Sequence, residues 1–240
     1  MDIYKDSVQK DIELVNLKNG IISKISHEYR TPLTVIQTST DLLKIYYEIR
    51  DKDKFDECIR KINSSIEKMV KFLEDIVLFG QIESKMVELN IEKVDIISFV
   101  DSIISHLRQN KTGIQEITFV NTGEFRIYAT DLNLINIIVT RILSNAIIYS
   151  DKNIKIKIEL NTFIDKFILS VYYLGDYIEP EKLKEIFNPF SQIIPSDLSA
   201  GIEFGLVIVR ESAALLNGTI EVNSKIETGT CITVTIPDKS

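Results

Sequence analysis

Residues 24–36 read KISHEYRTPLTVI, and how this stretch is read decides the fold of the first third of the chain. Ile25, Tyr29 and Ile36 continue a three- and four-residue rhythm running from Val8 to Ile49 through Val15, Ile22, Leu43 and Tyr46. That spacing marks one apolar stripe on a long helix. Ser23, Lys24, His27, Arg30, Thr31, Thr34, Gln37, Thr38 and Asp41 fall on the opposite face, so His27 is expected at the surface.

An exposed histidine is most often a solvated surface residue. In its neutral form, however, imidazole is a good nucleophile toward phosphorus. Glu28 can orient the ring and take the proton from its other nitrogen, and Thr31, one turn on, can hold a water. Pro32 removes a helix hydrogen bond and should bend the helix just past this point.

Downstream, Asp51 to Asp53 reads as a charged turn. A second helix follows with Phe55, Ile59, Ile62, Ile66, Met69, Leu73 and Ile76 in the same rhythm, so residues 1–80 should form an antiparallel helical hairpin. Two helices alone leave much of such stripes uncovered, which argues for a homodimer completing a four-helix bundle. Residues 81–92 read as a linker. From 93 to 240, helical stretches near 95–109, 131–149, 180–187 and 204–216 alternate with ITFVN, FRIYA, NIKIKIEL, KFILSVYY, TIEVNS and TCITVTI. The pattern predicts a two-layer α/β sandwich, and the whole chain an α plus α/β protein.

Composition sets the remaining bounds. The 240 residues are 45% hydrophobic, enough to fill a core, and the net charge of -7 gives no reason to expect nucleic acid as a partner. Cys58 and Cys231 have no metal-ligand spacing and fit a reduced, cytoplasmic setting. No uninterrupted apolar run approaches membrane-spanning length, so the chain is expected to contain no membrane segment. His106, in IISHLRQ, is expected to be a surface residue without a role.

SHEYRTPLT, residues 26–34, resembles the phosphoacceptor box of sensor histidine kinases, differing from the usual S-H-E-L-R-T-P-L-T only at Tyr29. LKNGIISKISHE upstream and VLFGQIESKMVELNIEKVD downstream resemble that family's entry helix and exit linker. The resemblance implies that His27 accepts a phosphoryl group, that Glu28 is the acid/base, and that Thr31 positions water for dephosphorylating a partner aspartate. The partner implied is the receiver domain of a response regulator.

The remaining sequence resembles the family's ATP-binding domain, of the Bergerat or GHKL type. RILSNAIIYS is similar to its asparagine box, which implies that Asn145 holds magnesium where nucleotide binds and that Tyr149 lies beside it. Gly175, Gly201 and Gly205 match nucleotide-binding glycines. Other positions depart from the pattern: Tyr173 stands where an aspartate reads the adenine amino group, Tyr177 and Glu203 replace glycines, Arg141 replaces an asparagine and Ile148 a cation. Residues 191–204, the expected lid, hold no Lys or Arg. A carboxylate 4 Å from a phosphate charge costs roughly 4 kcal/mol at intermediate dielectric. The losses fall on the ligand side while the core-facing text is intact, so the expectation is a retained fold with a degenerate site, a pseudokinase needing no cofactor.

Three readings follow. In the first, a two-component phosphotransfer or phosphatase protein, possible within a phosphorelay, exchanges phosphoryl between His27 and a response regulator. In the second, an active kinase phosphorylates His27 from Mg-ATP through a divergent pocket, with Asp176 swinging into the adenine role. The third is a non-catalytic dimerisation or titration module, against which the intact box around His27 counts.

Overall fold

The computed structural model describes residues 2–84, 86–109, 116–151, 155–187 and 205–239, and only the backbone of residues 2–24 and 83. The chain divides into two compact units at Ile76, within the second helix. Gly201, Glu203 and the expected lid lie outside the described residues, as do the side chains of Ser23 and Lys24.

The first unit is a helical hairpin. Helix α1 (Asp2–Glu48) runs through Pro32, and α2 (Lys52–Glu83) returns beside it. Between them Arg50 adopts a left-handed φ of 58°, and the Asp51 N–H donates to the Tyr46 carbonyl at 3.0 Å, the bond that closes a Schellman-type helix end. The Asp51 carboxylate then accepts the Lys54 N–H at 3.2 Å and caps α2. The turn is therefore one or two residues earlier than the charges of 51–53 suggest, because Asp51 caps the second helix.

Along α1, Ile25, Tyr29, Pro32, Ile36, Ser39, Leu43 and Tyr46 are buried or half-buried, whereas His27, Arg30, Thr31, Thr34, Gln37, Thr38 and Asp41 are exposed. On α2 the expected single stripe splits in two. Phe55, Cys58, Ile62, Ser65, Met69, Phe72 and Ile76 are covered at alternating three- and four-residue steps, and Tyr29 meets Phe72 edge-on with centroids 5.5 Å apart. Ile59, Ile66, Val70, Leu73 and Val77, one position round, stay exposed. A hairpin of two helices can cover one heptad seam of α2, not both.

The second unit is the expected two-layer sandwich. Strand β1 (Ile91–Asp95) pairs antiparallel with β3 (Ile127–Asp131), with Ile91 opposite Asp131. Strands β2 (Ile117–Thr122), β4 (Ile156–Thr162), β5 (Lys166–Tyr173), β6 (Thr219–Lys225) and β7 (Gly229–Pro237) form a sheet of order β2-β4-β5-β7-β6. Only β2 and β4 run parallel. In β4 alternation is complete: Ile156, Ile158 and Leu160 are buried, while Lys157 and Glu159 pair at 2.5 Å on the other face.

The helices α3 (Ile96–Gln109), α4 (Leu132–Tyr149) and α6 (Gly205–Leu215) cover the apolar face, and α5 (Pro180–Leu183) is one short turn. Strand β1 was not expected; it begins at Ile91 and Glu92, inside the stretch read as linker, and runs on to Asp95. Helix α2 runs on to Glu83, so Ser84 to Asn90 joins helix to strand. Although α4 is long and apolar enough by composition to cross a bilayer, its Ile135, Ile138, Ile142 and Leu143 lie in the core. His106 is exposed, and Cys58 and Cys231 are free thiols.

Candidate functional site

His27 stands on the polar face of α1 with its side chain 63% exposed, and its Nδ1 lies 3.7 Å from Oε1 of Glu28, whose side chain is only 13% exposed. The carboxylate is thus held against the protein beside a ring that reaches into solvent. The distance is longer than a hydrogen bond, so this is a polar contact; a carboxylate drawn onto an Nδ1–H would leave the Nε2 lone pair for an incoming electrophile.

Pro32 has no N–H to give the Glu28 carbonyl four residues back, and its ring is buried. One turn beyond His27, Thr31 is exposed on the same side, and the Thr34 hydroxyl is spent on the Arg30 carbonyl at 2.9 Å. Tyr29, the departure from the family pattern, turns inward to Phe72 and leaves the reactive face unaltered.

The second unit brings together Asn145, Tyr149, Tyr173 and Gly175, with Gly205 against the first of these. Asn145 is 4% exposed, and a Cβ on Gly205 would lie 3.4 Å from its Oδ1. The end of α4 is laced to the segment after β5: Ser150 bridges to Gly175, and the Asp151 N–H donates to the Leu174 carbonyl at 3.0 Å. A Cβ on Gly175 would sit 1.9 Å from the Tyr149 carbonyl oxygen, so glycine there is demanded by the chain's own crossing. Ile148 and Tyr177 are exposed, Arg141 is half-buried, and Asp176 is in an exposed loop.

Tyr173 is 4% exposed and lies opposite Thr230 across the β5–β7 ladder. Burial pushes its phenol up to about 12, against a partial offset from the neighbouring Thr230 hydroxyl. The Thr230 hydroxyl is 2.9 Å from that of Ser224, which accepts the Ile178 N–H at 3.1 Å. Nothing local in the sequence signals this chain, because its members come from β6, β7 and the loop after β5. Among the described residues, no three His, Cys, Asp or Glu side chains gather as a metal site.

Elsewhere on the hairpin, Val35, Arg60, Lys61, Ser64 and Lys68 line an open groove of about 340 Å³. Glu57 shares it and pairs with Lys61 at 2.6 Å.

Residues 17–85 match the His Kinase A (phospho-acceptor) domain model, and residues 130–240 match the model of histidine kinase-, DNA gyrase B- and HSP90-like ATPases. The sensor histidine kinase MtrB of Mycolicibacterium paratuberculosis is 29% identical over 94% of this chain and 40% of its own length. The sensor histidine kinase YvrG of Bacillus subtilis is 26% identical over 89% of the chain and 37% of its own length. The chain thus spans about two fifths of the curated relatives it matches.

Among solved structures, Acinetobacter baumannii histidine kinase AdeS shares the fold at a TM-score of 0.66 and 21% identity, covering 89% of this chain and 98% of that one. Histidine kinase ThkA, solved in complex with response regulator protein TrrA, has a TM-score of 0.66 at 21% identity, covering all of this chain and 67% of that one. With an exposed His27 on a phosphoacceptor hairpin and an ATPase-type sandwich following it in the sequence, the chain belongs to the sensor histidine kinase family.

Proposed function

We propose that this protein is a homodimeric, cytoplasmic two-component phosphotransfer protein in which His27 exchanges a phosphoryl group with the receiver aspartate of a response regulator. The observation that carries the reading is the pairing of an exposed imidazole with a largely buried carboxylate beside its Nδ1. In the accepting direction Nε2 attacks phosphorus in line, the acyl P–O bond breaks with its electron pair going to the aspartate, and the Nδ1 proton passes to Glu28. The present 3.7 Å tightens when the partner docks, as catalytic contacts commonly do. Thr31 orients the water that hydrolyses the aspartyl phosphate when flow runs outward.

The groove at Arg60, Lys61 and Lys68 supports a receiver as partner. Val35, on its α1 side, is eight residues from His27, about 12 Å along the helix, within reach of a small domain whose acidic pocket covers the histidine. The solved complex of ThkA with TrrA supports the same class of partner. We also propose a division into a hairpin of residues 1–80, a linker of 81–92 and a sandwich of 93–240, with free cysteines favouring a reducing compartment.

The ATPase-type match favours a second reading, autophosphorylation of His27 from Mg-ATP. The deciding experiment incubates the chain with a receiver domain carrying labelled aspartyl phosphate and no nucleotide. Acid-labile label on the wild-type chain and none on His27→Gln is the expected result. Label that persists on the Gln variant refutes the assignment.

A further inference from the structure

The ATPase-type match implies Mg-ATP, and the second unit can be tested against that group by its own geometry. A nucleotide needs a slot with unspent polar groups for the base, and backbone that leaves room for phosphates and metal. At the position that resemblance assigns to base recognition stands Tyr173, a member of the hydrophobic core. Tyr173 faces Thr230 across the β5–β7 ladder, the Thr230 and Ser224 hydroxyls lie 2.9 Å apart, and Ser224 accepts the Ile178 N–H, so those two hydroxyls are spent within the fold, while the buried Ser150 hydroxyl at the end of α4 has no hydrogen-bond partner among the described residues.

The glycines tell the same story. The space beside Gly175 is taken by the Tyr149 carbonyl, and a Cβ on Gly229 would lie 2.2 Å from the Tyr173 carbonyl oxygen. Backbone of this chain, not a ligand, fills the room those residues free. The Asn145 amide is 4% exposed against Gly205. Ile148, Leu174 and Tyr177 make the exposed surface around the laced segments apolar. The residues present do not fit Mg-ATP.

We infer that Tyr173 is an internal occupant of the base slot, a plug packed in the core opposite Thr230, and that the ATPase-type unit of this chain takes no adenine nucleotide. The inference deepens the reading of His27 given above and rests on it for one consequence: the phosphoryl group on His27 comes from another protein's acyl phosphate.

The test is thermal-shift titration of the full chain with Mg-ATP and with adenine, for the wild type, Tyr173→Phe and Tyr173→Ala. Neither ligand should move the wild type or the Phe variant, which keeps the ring. Tyr173→Ala should melt lower and be partly restored by adenine and by p-cresol, which replaces the deleted ring. Saturable Mg-ATP binding by the wild type at micromolar concentration overturns the inference without need of a variant that folds. Restoration by p-cresol but not adenine overturns it too, since the vacated space is then no base slot. Label transfer to His27 from a receiver, measured without nucleotide, succeeds or fails independently of either result.

Discussion

Thr31 and His27 sit one turn apart on the same exposed face, yet the chemistry assigns them different losses. Thr31→Ala should leave acceptance of label by His27 unchanged and slow regulator dephosphorylation at least tenfold, because the hydroxyl orients water and is not the nucleophile. A time course of receiver label reads both. Tyr173 makes a second, pH-based prediction. Its folded-state value of about 12 exceeds the ordinary 10 of an unfolded chain, so the neutral phenol is favoured by folding. Stability from this group is intact below pH 10 and falls as pH rises from 10 through 12, by about 2 kcal/mol. Burial also pushes Tyr128 and Tyr172 up, so comparison with Tyr173→Phe, whose alkaline loss should be smaller by that amount in urea melts, isolates the contribution.

The helix that carries Asn145 begins at a carboxylate with two duties. Asp131, 3% exposed, accepts the Leu134 N–H at 3.0 Å as the N-cap of α4 and, through its other oxygen, the Asn90 N–H at 2.8 Å. It ties the segment entering β1 to the start of α4. Asp131→Ala strands the buried Leu134 N–H and frees the Asn90 N–H of an exposed residue, and should cost about 2 kcal/mol by chemical denaturation; Asp131→Asn, which keeps one acceptor oxygen, should cost about half that. Asp95 does similar work for α3. Partial burial pushes its carboxyl up, but the Ser98 N–H and hydroxyl and the Arg126 guanidinium outweigh this and hold it below the usual carboxylate range. The stabilisation it supplies is therefore complete above the unfolded carboxylate value near 4 and is lost as pH falls through the lower folded one.

For the molecule as a whole, the uncovered seam on α2 is the feature that a single chain leaves unfinished. Ile59, Ile66, Val70 and Leu73 repeat at coiled-coil spacing and are exposed, the seam that the proposed homodimer would cover. Ile66→Lys should weaken self-association by several kcal/mol, turning a dimer at micromolar concentration into a monomer by light scattering while the helical signal persists. Much of this organisation is legible in the residues alone. Local periodicity suffices for the hairpin, the polar face around His27 and the sheet alternation, because helix and strand repeats report which side chains share a face. The phosphoacceptor motif is likewise contiguous, with His27, Glu28 and Thr31 about one helical turn apart. Other features were decided only by tertiary packing. Strand β1 is a strand because β3 offers it a partner, and the stripe on α2 divides in two because α1 is wide enough to cover only one seam. Gly175 owes its necessity to a crossing chain rather than to a ligand. Tyr173 reads in the sequence as a substitution; the fold makes it a plug, since Thr230, which it faces across the ladder, lies more than fifty residues away, and no local pattern encodes a contact over that separation.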